Sequence, residues 1–276
     1  MQADHIHTVR KAAALRRRLR RVVFVLVTVA VFLGGLGLTG WVLARSRPSW
    51  WRPIDPASTE LLGAAQRLEN GAVTALYDRP ADPAGATGTA GSPWVAAINQ
   101  DDAVAWLNTR FPDWLRDAAR LQSWPPEVRE IVASFENGLV TLGVRLVSNS
   151  GAEQFFSLGI RPRIDAQGRL WTPAESLWIG NLPVPVGLVF TRSAQPGAQQ
   201  GDAAQSAALL DARGKVPAPL RDLPELGALG RALAGSHPIV NDPVVKLGDG
   251  RAVRLLSVTT DKGRLLLTCR TSATPR

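Results

Sequence analysis

The chain has very little cysteine and histidine. It contains one cysteine, Cys269, so no disulfide can form within the chain, and it contains 3 histidines among 276 residues. Only His237 lies beyond the first seven residues. One histidine and one cysteine do not provide the compact set of three or four ligands that a zinc site requires. These shortages argue against a disulfide scaffold and a metal site, and Cys269 in its alternating apolar segment is interpreted as a small buried side chain.

The chain also lacks the common catalytic motifs. No G-x-S-x-G, P-loop or dinucleotide fingerprint is present. Ser236 and His237 are neighbours in sequence. A catalytic serine and its histidine base must meet side chain to side chain and usually come from separate segments, so this adjacency does not indicate a catalytic pair. No sequence feature pairs two of the acids at strand and turn positions, namely Glu127, Glu130, Glu153, Asp165 and Glu175. We predict a protein that is not an enzyme and has no cofactor, and a hydrolase that uses a carboxylate pair stays an alternative.

Net charge is missing from most of the chain. Residues 1–52 carry ten Lys and Arg against one Asp, whereas residues 53–276 carry 22 basic and 22 acidic side chains. The total of +9 therefore belongs to the first 52 residues. A nucleic-acid-binding domain needs a basic face on the folded part. We predict no nucleic-acid partner.

The most informative segment is an uncharged run of 23 residues, 22–44, preceded by clustered arginines. As a helix it would rise about 34 Å, enough to cross a hydrocarbon core of about 30 Å. Basic residues before a span favour the cytoplasmic side. We therefore predict a single-pass inner-membrane protein whose residues 45–276 are extracytoplasmic. The predicted membrane-interface residues are Arg17, Arg18, Arg20, Arg21, Trp41, Trp50 and Trp51.

A cleavable signal peptide is the alternative for this segment, because Val42 and Ala44 form an acceptable cleavage motif. The apolar core of a signal peptide usually spans about 7–15 residues, and this run is longer. We therefore favour an uncleaved anchor. The predicted organisation is a basic tail (1–21), a membrane helix (22–44), a juxtamembrane linker (45–56) that acts as a spacer, and a domain (57–276) with flexible loops at 78–93 and 193–208.

Helices are predicted at the start of the domain and again near its end. Asp55 and Pro56 read as the N-cap and first position of a helix that runs to about Leu76. Two short helices are predicted near 100–110 and 113–121, divided at Pro112. A further helix is predicted to begin at Leu223 and Pro224 and to end before Gly235.

Strands are predicted mainly between residues 131 and 179. Asn137 and Gly138 separate two apolar runs, which is a strong hairpin signal. Further strands are predicted at 94–98, 139–147, 152–164, 169–179, 243–247, 251–260 and 264–271, and prolines 162 and 173 are expected at edges or bulges. The sequence predicts an α+β fold: a membrane helix, then a domain with a twisted antiparallel sheet packed on two or more helices.

Period-two alternation places one set of apolar residues on one sheet face. We expect this face, with the unusual segment 182–186, to be either an ordinary core packed by helices or a groove for a lipid chain. The candidate lipid-contact residues are Val140, Leu142, Val144, Leu146, Phe156, Leu158, Ile160, Leu182, Pro183, Val184 and Pro185.

The order of the motifs resembles a known family. INQDDAVAWLN opens a helix, and FENGLVTLGVRL, IDAQGRL, IGNLPVPVGLVF and LGDGRAVRLLSVTTDKGRLLLTCR follow. Over roughly residues 94–270 this is similar to the YpmS-like family of membrane-anchored bacterial envelope proteins. It distantly resembles tubular (TULIP-type) lipid-binding domains, in which a long twisted sheet wraps a helix. The resemblance implies lipid binding or maintenance in the envelope, with contacts from Gly180, Leu182, Pro183, Pro185 and the inward strand positions.

The sequence thus leads to one main functional hypothesis. We expect a membrane-anchored, non-enzymatic protein whose extracytoplasmic domain binds lipid or another apolar ligand. The alternative partner is another envelope protein, bound through a sheet edge or through residues 193–208. An apolar sheet face that is filled by the protein's own side chains, with no groove for a ligand, would favour that alternative.

Overall fold

The protein has an α+β fold with antiparallel strand pairing, as predicted, although its strands form two larger sheets where one was predicted. The computed structural model describes residues 28, 31–55, 58–78, 92–119, 124–190 and 225–273. The helices in these ranges are α1 (residues 31–45), α2 (Thr59–Tyr77), α3 (Gln100–Thr109), α4 (Phe111–Ala119), α5 (Val186–Phe190) and α6 (Glu225–Leu233).

The strands form two larger sheets and a short two-stranded ribbon. They are β1 (Trp94–Asn99), β2 (Val128–Glu136), β3 (Leu139–Val147), β4 (Glu153–Ile160), β5 (Arg163–Ile164), β6 (Leu170–Trp171), β7 (Ala174–Ile179), β8 (Leu182–Val184), β9 (Val244–Lys246), β10 (Arg251–Asp261) and β11 (Arg264–Ala273). The five-stranded sheet has the order β2-β3-β4-β7-β8, the four-stranded sheet β1-β11-β10-β9, and the ribbon pairs β5 with β6.

The predicted β2–β3 hairpin is confirmed. Asn137 and Gly138 have φ angles of 54° and 76°, as a two-residue turn with left-handed backbone requires. Asn tolerates that conformation better than most residues, and Gly has no Cβ to strain. The turn fixes the register, which runs from Glu136 opposite Leu139 to Ile131 opposite Val144.

The predicted start of α2 and the predicted bounds of two strands are wrong. α2 begins at Thr59 rather than beside Asp55, because the Ser58 hydroxyl caps it by accepting a hydrogen bond from the Glu60 backbone N–H at 3.3 Å. The predicted strands 152–164 and 169–179 each divide in two, at Pro162 and at Pro173. Proline cannot donate to a strand ladder, so the chain leaves the five-stranded sheet there and forms the β5–β6 ribbon, as the expected edges or bulges at these prolines allow.

Helices cover one part of each sheet. Ala75 and Leu76 of α2 pack on a buried cluster of the four-stranded sheet that contains Trp94, Val253 and Cys269. Cys269 is buried there as predicted, and burial raises the pKa of its thiol. α3 lies along the outer edge of β2, where its Asn108 amide donates to the Ile131 carbonyl and accepts from the Ile131 N–H. This covering satisfies an edge that would otherwise offer unpaired backbone groups.

α1 carries a row of apolar side chains that the described residues leave uncovered. Val31, Phe32 and Leu38 are 70%, 65% and 63% exposed. Within the described ranges, no helix combines the length and the apolar character that crossing a membrane demands. Residues 22–27, 29 and 30 of the predicted span 22–44 lie outside those ranges, as do the basic tail 1–21, residues 79–91 and residues 191–224. The predictions made for them stay predictions.

Candidate functional site

The predicted apolar face exists on the five-stranded sheet. Strand pairing sets Leu142 opposite Leu158 and Val144 opposite Phe156, and it continues across β7 to Ile179. Leu182 and Val184 of β8 join the same face, opposite Ile179 and Leu177. The structure therefore brings together the predicted residues of β3, β4 and β8, which lie 10 to 44 positions apart in the chain.

This apolar face is covered only in part. Val140 and Leu142 pack with Ala103, Ala133 and Phe135 beneath α3. The rest of the face is half-buried and belongs to none of the buried clusters that the described residues form; we call it the open half, and it consists of Val144, Leu146, Phe156, Leu158, Leu182 and Val184. Leu177 and Ile179 extend it, although the sequence analysis did not select them as contacts. Ile160, which faces Val140, is also half-buried.

Two predicted contact residues do not belong to the apolar face. Pro183 pairs with Trp178 and, because strand residues alternate, points to the opposite side from Leu182 and Val184. Pro185 lies beyond the end of β8 and is exposed. A run of five apolar residues in sequence concealed this division, since the alternation becomes visible only when the pairing partners are known.

On β2, β3 and β4, the opposite face of the sheet is closed by the chain that follows α1. Residues 46–54, here called the strap, cross this face, and the Trp51 side chain is 5% exposed. Its ring packs edge-on against Phe155, with 5.1 Å between the ring centroids, and in the same cluster as Val132. The indole N–H has no hydrogen-bond partner among the described residues, so packing is what holds Trp51 in place.

A glycine makes room for the strap. A Cβ added to Gly143, in the middle of β3, would lie 2.8 Å from a ring carbon of Trp50 and 2.8 Å from a methyl group of Val132. Real Cβ contacts are almost never that short, so only glycine fits beneath the two indoles. A glycine inside a strand was the one signal in the sequence that another part of the chain approaches this face.

Hydrogen bonds hold the strap at both ends. At the α1 side, the Asn181 N–H donates to the Leu43 carbonyl at 2.8 Å, and the Asn181 amide donates to the Ser46 hydroxyl at 2.8 Å. At the far side, the Ile54 N–H donates to a carboxylate oxygen of Glu130 at 2.9 Å. Glu130 is 4% exposed and forms an ion pair with Arg145 at 3.1 Å. The strap is thus part of the domain.

These contacts correct the membrane-interface prediction. Trp51 was predicted at the membrane interface on a spacer, but its ring is enclosed by protein because Gly143 and Phe155 provide a fitted site. Trp50 is half-buried beside it, with 5.7 Å between the two ring centroids. Trp41 remains 52% exposed, and the Arg45 guanidinium lies 4.3 Å from its ring centroid. Arg17, Arg18, Arg20 and Arg21 lie outside the described residues.

Four of the five candidate acids of the hydrolase alternative, all except Glu127, are bound to arginines. Arg145 joins Glu130 to Glu153, which it meets at 3.4 Å, and Arg161 pairs with Glu175. Asp165 accepts hydrogen bonds from Trp171 Nε1 at 2.7 Å and from Arg169. Partial burial acts to raise the pKa of Asp165, but these hydrogen bonds outweigh it and lower the pKa to about 2. An acid–base pair needs one carboxyl group that keeps its proton, and this electrostatic setting does not favour that.

Other candidate chemistry is equally weak within the described ranges. His237 Nδ1 lies 2.8 Å from the Pro238 carbonyl, which fits its predicted place in a loop after α6. No group of three or more His, Cys, Asp or Glu side chains in the described part of the chain is arranged to hold a metal ion.

A small cleft lies between the strap and α3. Its volume is about 200 Å³, and Trp50, Ile54, Val104 and Val132 are among the residues that line it. Sites for drug-sized ligands usually measure about 300–1,000 Å³. The open half of the apolar face is therefore the better candidate for a long apolar ligand.

Comparisons with family models, with curated proteins and with solved structures found no match to this chain. The resemblance to the YpmS-like family accordingly stays a prediction. The features of this chain that bear on its function are the geometry of the two sheet faces and the sequence of the first 52 residues.

Proposed function

We propose that this chain is a single-pass membrane-anchored protein whose extracytoplasmic α+β domain binds a lipid or another apolar ligand without catalysing a reaction. The observation that carries the proposal is the open half of the apolar face. Its six side chains are large and apolar, they come from three strands, and they are half-buried. The last turn of α1, a helix whose apolar side chains are exposed, accepts a hydrogen bond from Asn181, next to β8.

The energetics favour an acyl chain as the ligand. Each buried methylene contributes about 0.8 kcal/mol, so a chain that covers several side chains of the open half needs few polar contacts. The paired rows Val144–Phe156–Ile179 and Leu158–Leu177 form a continuous strip of the kind an extended hydrocarbon can follow. The arginine-bound carboxylates add nothing to this face, which agrees with a binding role.

The contacts at the end of α1 support an uncleaved anchor. Gly180 has a φ of 58°, and an added Cβ would lie 2.6 Å from the Ala44 carbonyl oxygen. Asn181 donates to the Leu43 carbonyl. Cleavage after Ala44 would remove Leu43 from a backbone hydrogen bond of the domain. The end of the apolar run is therefore part of the fold, which a discarded signal peptide is not.

The interaction-module alternative has less support from geometry. α3 covers the edge of β2, and the opposite edge is the three-residue strand β8, whose central residue is Pro183. Short edges with proline resist the addition of a further strand. A partner bound through residues 193–208 stays a prediction, because those residues lie outside the described ranges.

A photoactivatable lipid tests the proposal on the full chain. The protein is reconstituted in vesicles of phosphatidylethanolamine and phosphatidylglycerol that contain a phospholipid with a diazirine in its acyl chain. After irradiation, mass spectrometry of peptides locates the adducts. We expect adducts on peptides that contain Val144, Phe156 or Leu158, in addition to those on residues 22–44.

A pair of variants provides the control. Leu158→Asn places an amide in the open half and should reduce the sheet adducts several-fold. Thr141→Asn places the same amide on the neighbouring strand but on the strap side, and it should leave the adducts unchanged. Adducts confined to residues 22–44, or an equal effect of the two variants, would contradict lipid binding. Release of the chain from membranes by alkaline carbonate would contradict the anchor.

A further inference from the structure

The strap leaves no free spacer between α1 and the domain. Leu43, Ser46 and Arg47 all interact with Asn181 through hydrogen bonds of 2.8, 2.8 and 3.3 Å. Four residues after Arg47, the Trp51 ring is buried beneath the sheet. A helix attached at its last turn and followed by a docked segment cannot swing as it would on a flexible linker. The orientation of the sheet relative to α1 is therefore set by these contacts.

Strand register shows which end of the sheet lies beside α1. Val147 pairs with Glu153 and Phe156 pairs with Ile179, so the β3–β4 turn (148–151) and the β7–β8 turn (180–181) lie at the same end. We call it the α1 end. The β2–β3 turn lies at the other end, because Val140 pairs with Ile160. The 8 residues of β4 separate the two ends by roughly 23 Å.

The α1 end is suited to the surface of a bilayer. Ser148, Asn149 and Ser150 are exposed polar residues at its tip. Arg45, Arg47 and Arg52 are exposed on the chain that enters it. Basic side chains next to a membrane span are attracted by anionic lipids, and hydroxyl and amide groups can form hydrogen bonds with lipid headgroups. The row Val144–Phe156–Ile179 of the apolar face begins three residues from the β3–β4 turn.

We propose that the α1 end of the five-stranded sheet rests on the phospholipid surface of the outer leaflet, held there by the strap, so that the open half of the apolar face opens directly toward the bilayer. This inference rests on the membrane anchor in the proposed function. It specifies how a lipid reaches the face: the acyl chain moves from the leaflet onto Phe156 and Ile179 without crossing water.

Fluorescence quenching by spin-labelled lipid tests this orientation on the full chain. Cys269 is the only cysteine, so Cys269→Ala gives a background in which a single new cysteine can carry a fluorophore. Asn149→Cys places it at the α1 end, and Glu136→Cys places it at the opposite end. Both positions are exposed. Cys269→Val is a second background in case the alanine variant folds poorly.

The chains are reconstituted in vesicles of phosphatidylethanolamine and phosphatidylglycerol that contain a phospholipid with a nitroxide near its headgroup. We expect quenching at position 149 to exceed quenching at position 136 several-fold. Equal quenching at the two positions, or stronger quenching at 136, overturns the inference while leaving the anchor and the lipid-adduct test unaffected. A chain that alkaline carbonate extracts overturns the anchor and this inference together.

An insertion tests the role of the strap. A flexible glycine–serine segment between Arg45 and Ser46 separates α1 from the strap and leaves the packing of Trp51 intact. Quenching at position 149 should then fall to the level at position 136. The same insertion between Gly85 and Ala86 should leave quenching unchanged. Unchanged quenching after the first insertion would show that the strap does not hold the sheet at the membrane.

Discussion

The two faces of the five-stranded sheet come from alternate residues of the same strands, yet the protein covers them differently. One face bears Gly143, Phe155 and Glu130, and the strap closes it with Trp51. The other bears larger apolar residues such as Phe156 and Leu158, and much of it is half-buried. The face that looks more polar in sequence is thus the closed one. Closure depends on the shape that the partner segment meets, and not on the apolar character of the face alone.

Neighbouring phenylalanines give the strongest test of this difference. Phe155 is 3% exposed under the strap, whereas Phe156 is half-buried on the open half. Phe155→Ala should lower the free energy of unfolding by about 3–5 kcal/mol, because it leaves a cavity beside Trp51. Phe156→Ala should lower it by only about 1–2 kcal/mol, because the Phe156 side chain buries less apolar area on folding than the Phe155 side chain does. Urea unfolding in one detergent measures both, and equal losses would mean that the two faces are equally closed.

The fit between Gly143 and the strap predicts coupling. Gly143→Ala should cost about 1–3 kcal/mol of unfolding free energy because the new methyl group meets Trp51 and Trp50. In a Trp51→Ala background the methyl group has space, so the two changes together should cost less than the sum of their separate effects by about 0.5–3 kcal/mol. A double-mutant cycle measures this coupling.

Gly71 is the matched control for that cycle. It lies inside α2 with nothing within 4 Å of an added Cβ. Gly71→Ala should raise the unfolding free energy by about 0.5–1 kcal/mol, because alanine favours a helix interior. Strict additivity between Gly143→Ala and Trp51→Ala would mean that the strap does not pack on β3.

Two acids that share one arginine provide a smaller test of the same comparison. Glu130 is 4% exposed and bonds to the strap, whereas the side chain of Glu153 is 45% exposed. Glu130→Gln should cost about 1–3 kcal/mol of unfolding free energy, because the charge of Arg145 loses its buried partner. Glu153→Gln should cost at most about 1 kcal/mol, as surface ion pairs do. Thermal unfolding compares them, and a larger effect of Glu153→Gln would contradict the docked strap.

Asp165 lies in the turn between β5 and β6, outside both faces of the five-stranded sheet, and its substitution is expected to have the smallest effect on stability. Its pKa falls from 3.8 to about 2 in the folded protein, so its contribution to stability is present above pH 3.8 and is lost as the pH falls toward 2. Asp165→Asn should therefore lower the melting temperature near pH 7, and this difference from the wild type should shrink toward pH 2. A difference that stays constant across this range would show that Arg169 and Trp171 do not shift Asp165.

Local patterns were enough to predict most of the sheet. The bounds of β3 agree with the prediction, and Asn137 and Gly138 adopt the predicted turn, because alternation and turn chemistry are local properties. The shared face of Leu142 and Leu158 followed from the same alternation. The start of α2 was missed by a few residues, since both Asp55 and Ser58 are good N-caps by residue type and the structure uses Ser58.

The strap could not be predicted from local patterns. Trp51 lies more than 75 residues before its partners Val132 and Phe155, and nothing in alternation says which segment covers a face. Tryptophan after an apolar run suggests a membrane interface, and only Gly143 hinted at a close approach. The same limit explains Pro183, which an apolar run groups with Leu182 although pairing with Trp178 turns it to the other side.

The sequence by itself determined the charge distribution, the strands and the identity of the apolar residues, because each depends on composition or on neighbours a few positions apart. Only the tertiary structure decided which sheet face is closed and how the end of α1 is held. Those outcomes depend on contacts between distant segments, such as Trp51 with Phe155 and Leu43 with Asn181, whose packing and hydrogen bonds exist only after the chain has folded.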